Sequence, residues 1–184
     1  PWREIDIQKA DQLGIQIVRR RSGGGTVYHD PGNWNFCFLR GERELHRKEN
    51  LEYVQAVLAD QGIPISINER FDLTYLTDDG VKKVSGSAFK QQKGRSYHHA
   101  TLLVDAKLED LKGVLGTSIS LQVSGKGIKS HPSPVTNLLN HHEISYGQWC
   151  KQWMKVFEID YELSEVSSET SLELLEEIEA LKNW

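Results

Sequence analysis

Residues 70–104 read RFDLTYLTDDGVKKVSGSAFKQQKGRSYHHATLLV, and through much of this stretch the apolar positions recur every second residue. A period of two belongs to strands, whose side chains alternate between faces. RFDLTYL, VKKVSGSAFK and YHHATLLV read as three strands, with Asp79-Gly80 as the hairpin turn between the first two. To either side the period lengthens. LHRKENLEYVQAVLADQ, about 45–61, carries Leu45, Leu51, Val54, Val57 and Leu58 at helical spacing and stops at Gly62. Upstream, EIDIQKADQL reads as a helix ending at Gly14. IQIVRR, TVYH and NWNFCFLR follow as strands, the last two separated by the turn signal Asp30-Pro31-Gly32. Downstream, LEDLKGVL is a short helix, and SYGQWCKQWMKVF and SLELLEEIEALKNW close the chain as helices. Between them, residues 116–137 are rich in Gly, Ser and Pro and read as a long loop, functional or mobile, with Lys126 and Lys129 able to close on phosphate. Strands and helices mix without regular βαβ alternation. That predicts the α+β class, a mixed β-sheet with packed helices, rather than a doubly wound sheet.

The chain has 184 residues, enough for one domain with its own core. With 38% apolar residues, 26% charged residues and a net charge of -4, it is neither a disordered tail nor a basic nucleic-acid binder. Against that acidic total, Arg19, Arg20 and Arg21 are a local feature. No apolar run is long enough for a membrane span. Cys37 and Cys150, the two cysteines, cannot staple the domain or build a Cys-rich zinc site, which points to a reducing compartment. Both read as small core residues. Trp149 and Trp153, four apart, read as a core stripe, and His141 and His142 as solvated. The first residue is Pro1, so the absence of a visible signal peptide carries no weight.

Three signals carry chemistry. In RRRSGGGTVYHDPG, residues 19–32, Gly23, Gly24 and Gly25 can present several N–H groups on one concave side, which suits a phosphate or carboxylate. Arg20 or Arg21 beside them adds a charged fork. A bare glycine run also marks a flexible hairpin, and no Walker loop is present. In KKVSGSA, residues 82–88, Lys83 and Ser85 point to one side of a strand and Val84 to the other, and Gly86 suggests close approach to the backbone. In YHHATLL, His98 and His99 take opposite sides, and no second His or Cys stands at a zinc-ligand spacing. Asp72, flanked by strand formers, needs water or a partner. Together, a glycine nest, an arginine, a lysine, an aspartate and a histidine suit binding a carboxylate and an activated phosphate at once.

RRRSGGGTVYHDPGN, KVSGSA, YHHATLL and GKGIKSHPSPVTNL, in that order and spacing, resemble the lipoate–protein ligase and lipoyltransferase family, and the resemblance runs from Pro1-Trp2-Arg3-Glu4 to Trp184. It implies one α+β catalytic domain of the biotin/lipoate ligase type over residues 1–184. It implies that lipoate and ATP, with Mg2+, give lipoyl-AMP and pyrophosphate. The lipoyl group then passes to a lysine of an apo lipoyl-domain protein, such as a 2-oxoacid dehydrogenase E2 subunit or the glycine cleavage H protein. The expected compartment is the cytoplasm, or the mitochondrion in a eukaryote, with no nucleic-acid or membrane partner. By the same resemblance Arg20 and the backbone of Gly25, Thr26, Val27 and Tyr28 hold the nucleotide. Gly23 and Gly24 close over the lipoyl group, and Lys83 contacts both the carboxylate and the α-phosphate. His29, Asp72 and His99 are further pocket positions, and Ser85, on the same side of its strand as Lys83, is a further binding candidate. Against the family pattern, the helix and strand before the PW motif and a C-terminal accessory domain are expected to be absent. The chain also has Phe71 where the ligases carry asparagine, as the animal lipoyltransferases do. Those departures keep alternatives open: a transferase that uses lipoyl-AMP without making it, or a non-catalytic binder. A cysteine-dependent octanoyltransferase is set aside, because no cysteine lies between residues 38 and 149.

Overall fold

A computed structural model of the chain describes residues 4–115, 133–160, 162 and 172–182. Most of the 116–137 loop, with Lys126 and Lys129, lies outside the described residues. The elements in chain order are α1 (Ile7–Gln12), β1 (Asn33–Arg40), α2 (Arg47–Asp60), β2 (Ile65–Ile67), β3 (Leu73–Thr77), β4 (Gly80–Lys83), β5 (Ser87–Gln92), β6 (Arg95–Leu103), α3 (Leu108–Val114), a 3₁₀ turn (Leu138–His141), α4 (Tyr146–Asp160) and α5 (Leu172–Lys182). No described helix is long and apolar enough to cross a membrane. The class is α+β, as the sequence predicts.

The strands form two antiparallel three-stranded sheets, ordered β1-β6-β5 and β2-β3-β4. Strand β1 shows why the first sheet has two unlike faces. Trp34, Phe36 and Phe38 pack on the core, while Asn35, Cys37 and Leu39 alternate with them on the exposed side. Leu51, Val54, Val57 and Leu58 of α2 lie on one stripe and are buried in that core, joined by Trp149 and Trp153 of α4. The two indoles, 5.5 Å apart between ring centroids, continue to Trp34 at 5.9 Å and Phe157 at 5.5 Å. Burying such large apolar side chains supplies about 1.5–3 kcal/mol each. At the start of β1, a Cβ added to Gly32 would stand 1.9 Å from the Asp105 carbonyl oxygen. Only glycine lets that turn lie against the chain leaving β6.

Several expectations need correction. VKKVSGSAFK is not one strand: β4 ends at Lys83 and β5 starts at Ser87. The residues between them stitch the two sheets together. Val84 N–H donates to Leu73 O, Leu103 N–H to Val84 O, and Thr101 N–H to Gly86 O. The β3–β4 hairpin closes one residue earlier than read, with Thr77 paired to Gly80 across Asp78-Asp79. IQIVRR and TVYH join no ladder among the described residues. Their backbone groups go elsewhere: Thr26 N–H to a Glu4 carboxylate oxygen, and Arg19 N–H to Leu181 O of α5. Cys37 is exposed rather than core, and Cys150 is half-buried against the core. His141 is exposed, as read, whereas His142 is half-buried. His141 stacks on Tyr75 at 4.9 Å and bonds Thr136 Oγ1 at 2.9 Å, and His142 meets the same ring edge-on.

Candidate functional site

Lys83 ends β4 and is pinned on all sides. Its N–H donates to Pro134 O and its carbonyl accepts from Thr136 N–H, so the backbone is fixed by the segment after the long loop. Its ammonium lies 2.8 Å from Asp72 Oδ1. Asp72 is buried just before β3, with Arg70 Nε 4.0 Å from its other oxygen. The carboxylate therefore has the partner that its burial requires. Lys82, one residue earlier, pairs instead with Asp79 at 2.6 Å. The hydrogen bonds from Lys82 and then Thr77 lower the Asp79 pKa to about 2. The two lysines divide as strand alternation predicts.

Asp72 itself is delivered by a tight turn. Asn68 Oδ1 accepts the N–H groups of Arg70 and Asp72, and Phe71 N–H donates to Asn68 O. Phe71 takes φ 61°, the left-handed region that bulky residues avoid. Ser85 is buried, and its hydroxyl accepts the Leu73 N–H at 2.7 Å, which ties β3 to the seam between the sheets. Gly86 N–H donates to Thr101 Oγ1 at 3.0 Å, and a Cβ at Gly86 would stand 3.9 Å from the Lys83 ammonium. Thr101 thus adjoins the lysine, and it lies two residues along β6 from His99, on the same face.

The glycine loop forms the other part. Arg20 Nη2 donates to Gly23 O at 2.8 Å and to Gly25 O at 2.6 Å, and Nε donates to Gly23 O at 3.2 Å. The guanidinium is folded under the loop as its brace. Gly24 has φ 101°, and a Cβ there would stand 2.8 Å from Arg20 Nη2. The loop closes this tightly because position 24 has no side chain. From the other side, the Glu4 carboxylate accepts Thr26 N–H at 2.7 Å. Burial lowers the Arg20 pKa, and Glu4 acts in the opposite sense. Ser22 Oγ and His99 Nε2 share a 2.6 Å hydrogen bond that fastens the loop to β6. Burial and then the Arg20 charge lower the His99 pKa, which favours the neutral ring. His29 is lowered in the same way, by burial, Arg20 and His99 in that order, although part of its ring stays exposed. Tyr28 is half-buried near two carboxylates, Asp30 and Asp110. Burial, then the negative charges of Asp30 and Asp110, raises its pKa to about 12. Val27 is exposed.

Two groups of expected residues are therefore brought together. Arg20, Gly23, Gly24, Gly25, His29 and His99 make one, and Asp72 and Lys83 the other. Thr101 stands between them on the open face of the first sheet. Cys37 lies on the same face, opposite His99 in the register. Although the residue is exposed, partial burial pushes its thiol pKa up, away from thiolate chemistry. Sequence reasoning missed Ser22, Glu4 and Thr101. Ser22 and Glu4 stand inside stretches singled out for other residues, but nothing local shows that they bond across the fold. Thr101 follows from the period of β6 once His99 is placed. Among the described residues, no group of three His, Cys, Asp or Glu could hold a metal ion.

The family model described as the lipoyl protein ligase A/B catalytic domain matches residues 1–158. Among solved structures, LipL1 of Plasmodium falciparum in complex with lipoate is 26% identical with a TM-score of 0.71; the match covers 100% of this chain and 54% of that one. A bipartite lipoate protein ligase of Thermoplasma acidophilum, described with its E2 lipoyl domain, is 22% identical with a TM-score of 0.69, covering 99% of this chain and 70% of that one. A lipoate-protein ligase A bound with ATP is 22% identical with a TM-score of 0.67, covering 98% and 71%. The last two likenesses show the fold.

Proposed function

This chain belongs to the lipoyl protein ligase A/B catalytic-domain family, and from that premise we propose that it carries a lipoyl group from lipoyl-AMP to a lysine of an apo lipoyl-domain protein, after ATP-dependent activation of lipoate. The observation that carries this reading is the Lys83 ammonium, fixed at 2.8 Å by Asp72 beside the side-chain-free Gly86. Activation sets a carboxylate against a triphosphate, two anions that repel. An ammonium already held in place offsets that repulsion without reorganising during the reaction. The lipoate carboxylate attacks the α-phosphorus, and pyrophosphate leaves. In transfer, the neutral amine of the acceptor lysine attacks the acyl carbon and loses a proton, and AMP leaves. Lys83 then stabilises the departing phosphate. The loop braced by Arg20 would hold the substrates in line, where positioning contributes roughly 7 kcal/mol or more in ideal cases.

Lipoate and ATP are the ligands of relatives of this fold, and an E2 lipoyl domain is the partner described for one. For this chain we extend that to E2 subunits and the glycine cleavage H protein as acceptors. Mg2+ fits as the companion of ATP. It commonly takes most of its ligands from phosphates and water with one or two carboxylates, so the absence of a metal cluster among the described residues is compatible with it. The narrower reading, transfer without activation, is favoured by Phe71. It stands immediately before Asp72, where the resemblance expects the ligases' asparagine. Lipoate-dependent ATP–pyrophosphate exchange separates the two readings. Exchange supports the full ligase. No exchange, with transfer from synthetic lipoyl-AMP intact, supports the transferase. Neither activity would sink both.

A further inference from the structure

The guanidinium of Arg47, at the first turn of α2, lies between two phenyl rings. Its Cζ is 4.6 Å from the ring centroid of Phe71 and 4.9 Å from that of Phe89. These distances are well inside cation–π range. The three residues come from α2, the turn before β3 and strand β5, so the stack joins both sheets to the helix beneath them. Phe71 is the strained residue of the turn that delivers Asp72. Left-handed backbone at a bulky residue persists only where its surroundings hold it. Asn68 holds this turn through the backbone, and the Phe71 ring, itself packed against the main core, carries the Arg47 guanidinium over its face. The Asp72 charge also acts on Arg47, opposing the effect of its burial. The Arg47 Nε is buried without a hydrogen-bond partner among the described residues, so the group is held by its stacking rather than by a fork on a carboxylate.

We propose that Arg47 is a positioning residue for Lys83: clamped between Phe71 and Phe89, it braces the left-handed turn that sets the Asp72 carboxylate on the Lys83 ammonium. The inference deepens the reading of Lys83 as the charge at the reacting centre and rests on it for its kinetic consequence. The geometry is independent of that reading. Loss of the guanidinium releases the Phe71 ring, the turn relaxes, and Asp72 no longer fixes where the ammonium points. A misplacement of about 1 Å at a reacting centre costs up to roughly a hundredfold in rate.

The test has two arms on the folded full-length protein. Reductive methylation with formaldehyde, followed by mass spectrometry, reports the accessibility of the Lys83 amine against Lys90 as internal reference. Arg47→Met should raise labelling of Lys83 several-fold and leave Lys90 alone, and Arg47→Lys, which keeps a cation at the rings but loses the planar stack, should raise it less. In transfer from synthetic lipoyl-AMP, Arg47→Met should lower kcat about tenfold or more with KM unchanged. The same substitution in a Lys83→Ala background should cost nothing further, because the effect runs through Lys83. Unchanged Lys83 labelling in Arg47→Met overturns the proposal, and so does an equal loss of rate in both backgrounds. If labelling rises as expected but Lys83→Ala transfers at the wild-type rate, the role of Lys83 in the reaction falls and the brace stands. Should Arg47→Met fail to fold, Phe71→Leu removes the stacking ring from the other side and is read in the same way.

Discussion

The ammonium of Lys83 stands 2.8 Å from Oδ1 of Asp72, and the neighbouring Lys82 reaches a different aspartate, Asp79, at 2.6 Å. Adjacent lysines on one strand are thus committed to separate carboxylates. Lys83→Ala should slow transfer from lipoyl-AMP by a hundredfold or more, corresponding to about 3 kcal/mol of transition-state stabilisation. Lys83→Arg should not rescue it, since a planar fork cannot replace a compact ammonium. Lys82→Ala should be close to wild type. Timed lipoylation of an apo lipoyl domain by the three proteins decides, and a crippled Lys82→Ala would reverse the assignment.

Two glycines of one loop should respond differently to the same methyl group. At Gly24 an added Cβ meets Arg20 Nη2 at 2.8 Å and forces a residue with φ 101° into strain, whereas at Gly23 nothing lies within 4 Å. Gly24→Ala should displace the Arg20 brace and weaken lipoyl-AMP binding at least about tenfold, the equivalent of 1.4 kcal/mol. Gly23→Ala should bind nearly as wild type. Calorimetric titration with a non-hydrolysable lipoyl-AMP analogue gives the comparison, and equal affinities would show that the loop does not depend on Gly24.

Phe71 allows backbone strain to be separated from side-chain contact. Both Phe71→Ala and Phe71→Gly lose the ring that stacks on Arg47, but only glycine accepts φ 61° freely. Glycine should therefore be the more stable of the two by about 1 kcal/mol, the reverse of the usual order at ordered positions. Urea denaturation of both variants measures it, and an alanine variant equal to or better than glycine would mean that the turn is not held left-handed in solution.

Acid should weaken the protein through His98. This ring is fully buried under β6, with Asn50 Nδ2 at 3.3 Å from Nδ1 and no partner for Nε2 among the described residues. Burial first, then the charges of Arg47 and His99, lowers its pKa to about 4. A histidine in the unfolded chain titrates near 6.5, so below that pH the unfolded state takes up the proton first. The contribution is fully present above about pH 6.5, falls as pH drops to about 4, and amounts to about 3 kcal/mol at most. Thermal melts of wild type and His98→Gln across this window should show a shallower pH dependence in the variant. Parallel curves would place the acid sensitivity elsewhere.

Much of this was legible in the residues themselves. Strand β1, helix α2 and the Trp149–Trp153 stripe follow from periods within one element, and β1 ends where its sequence signals place it. Asp72 could be picked out because a carboxylate among strand formers needs water or a partner, and Lys83 because it stands near Gly86 on a strand; that the two pair shows only in the folded chain. The seam at Val84–Gly86 could not, because the alternation of side chains runs across it while the hydrogen-bond partners change sheet. TVYH has strand-forming residues, yet Thr26 gives its N–H to Glu4, twenty-two positions away, a partner that no local pattern announces. Nothing in the residues around Arg47 marks it out. Its two rings come from elements that are distant in sequence and meet only in the folded chain.

The stitching of Val84 and Gly86 to both sheets also bears on the order of assembly. Leu73, Leu103 and Thr101 must all be in place before these residues have their bonds, and Lys83 waits in addition for the chain around Pro134 and Thr136. Closing so many distant segments defers the entropy cost of the centre to the end of folding. A half-assembled chain would hold neither sheet's share of the lysine's surroundings, so competence should arrive in a single late step together with the complete fold.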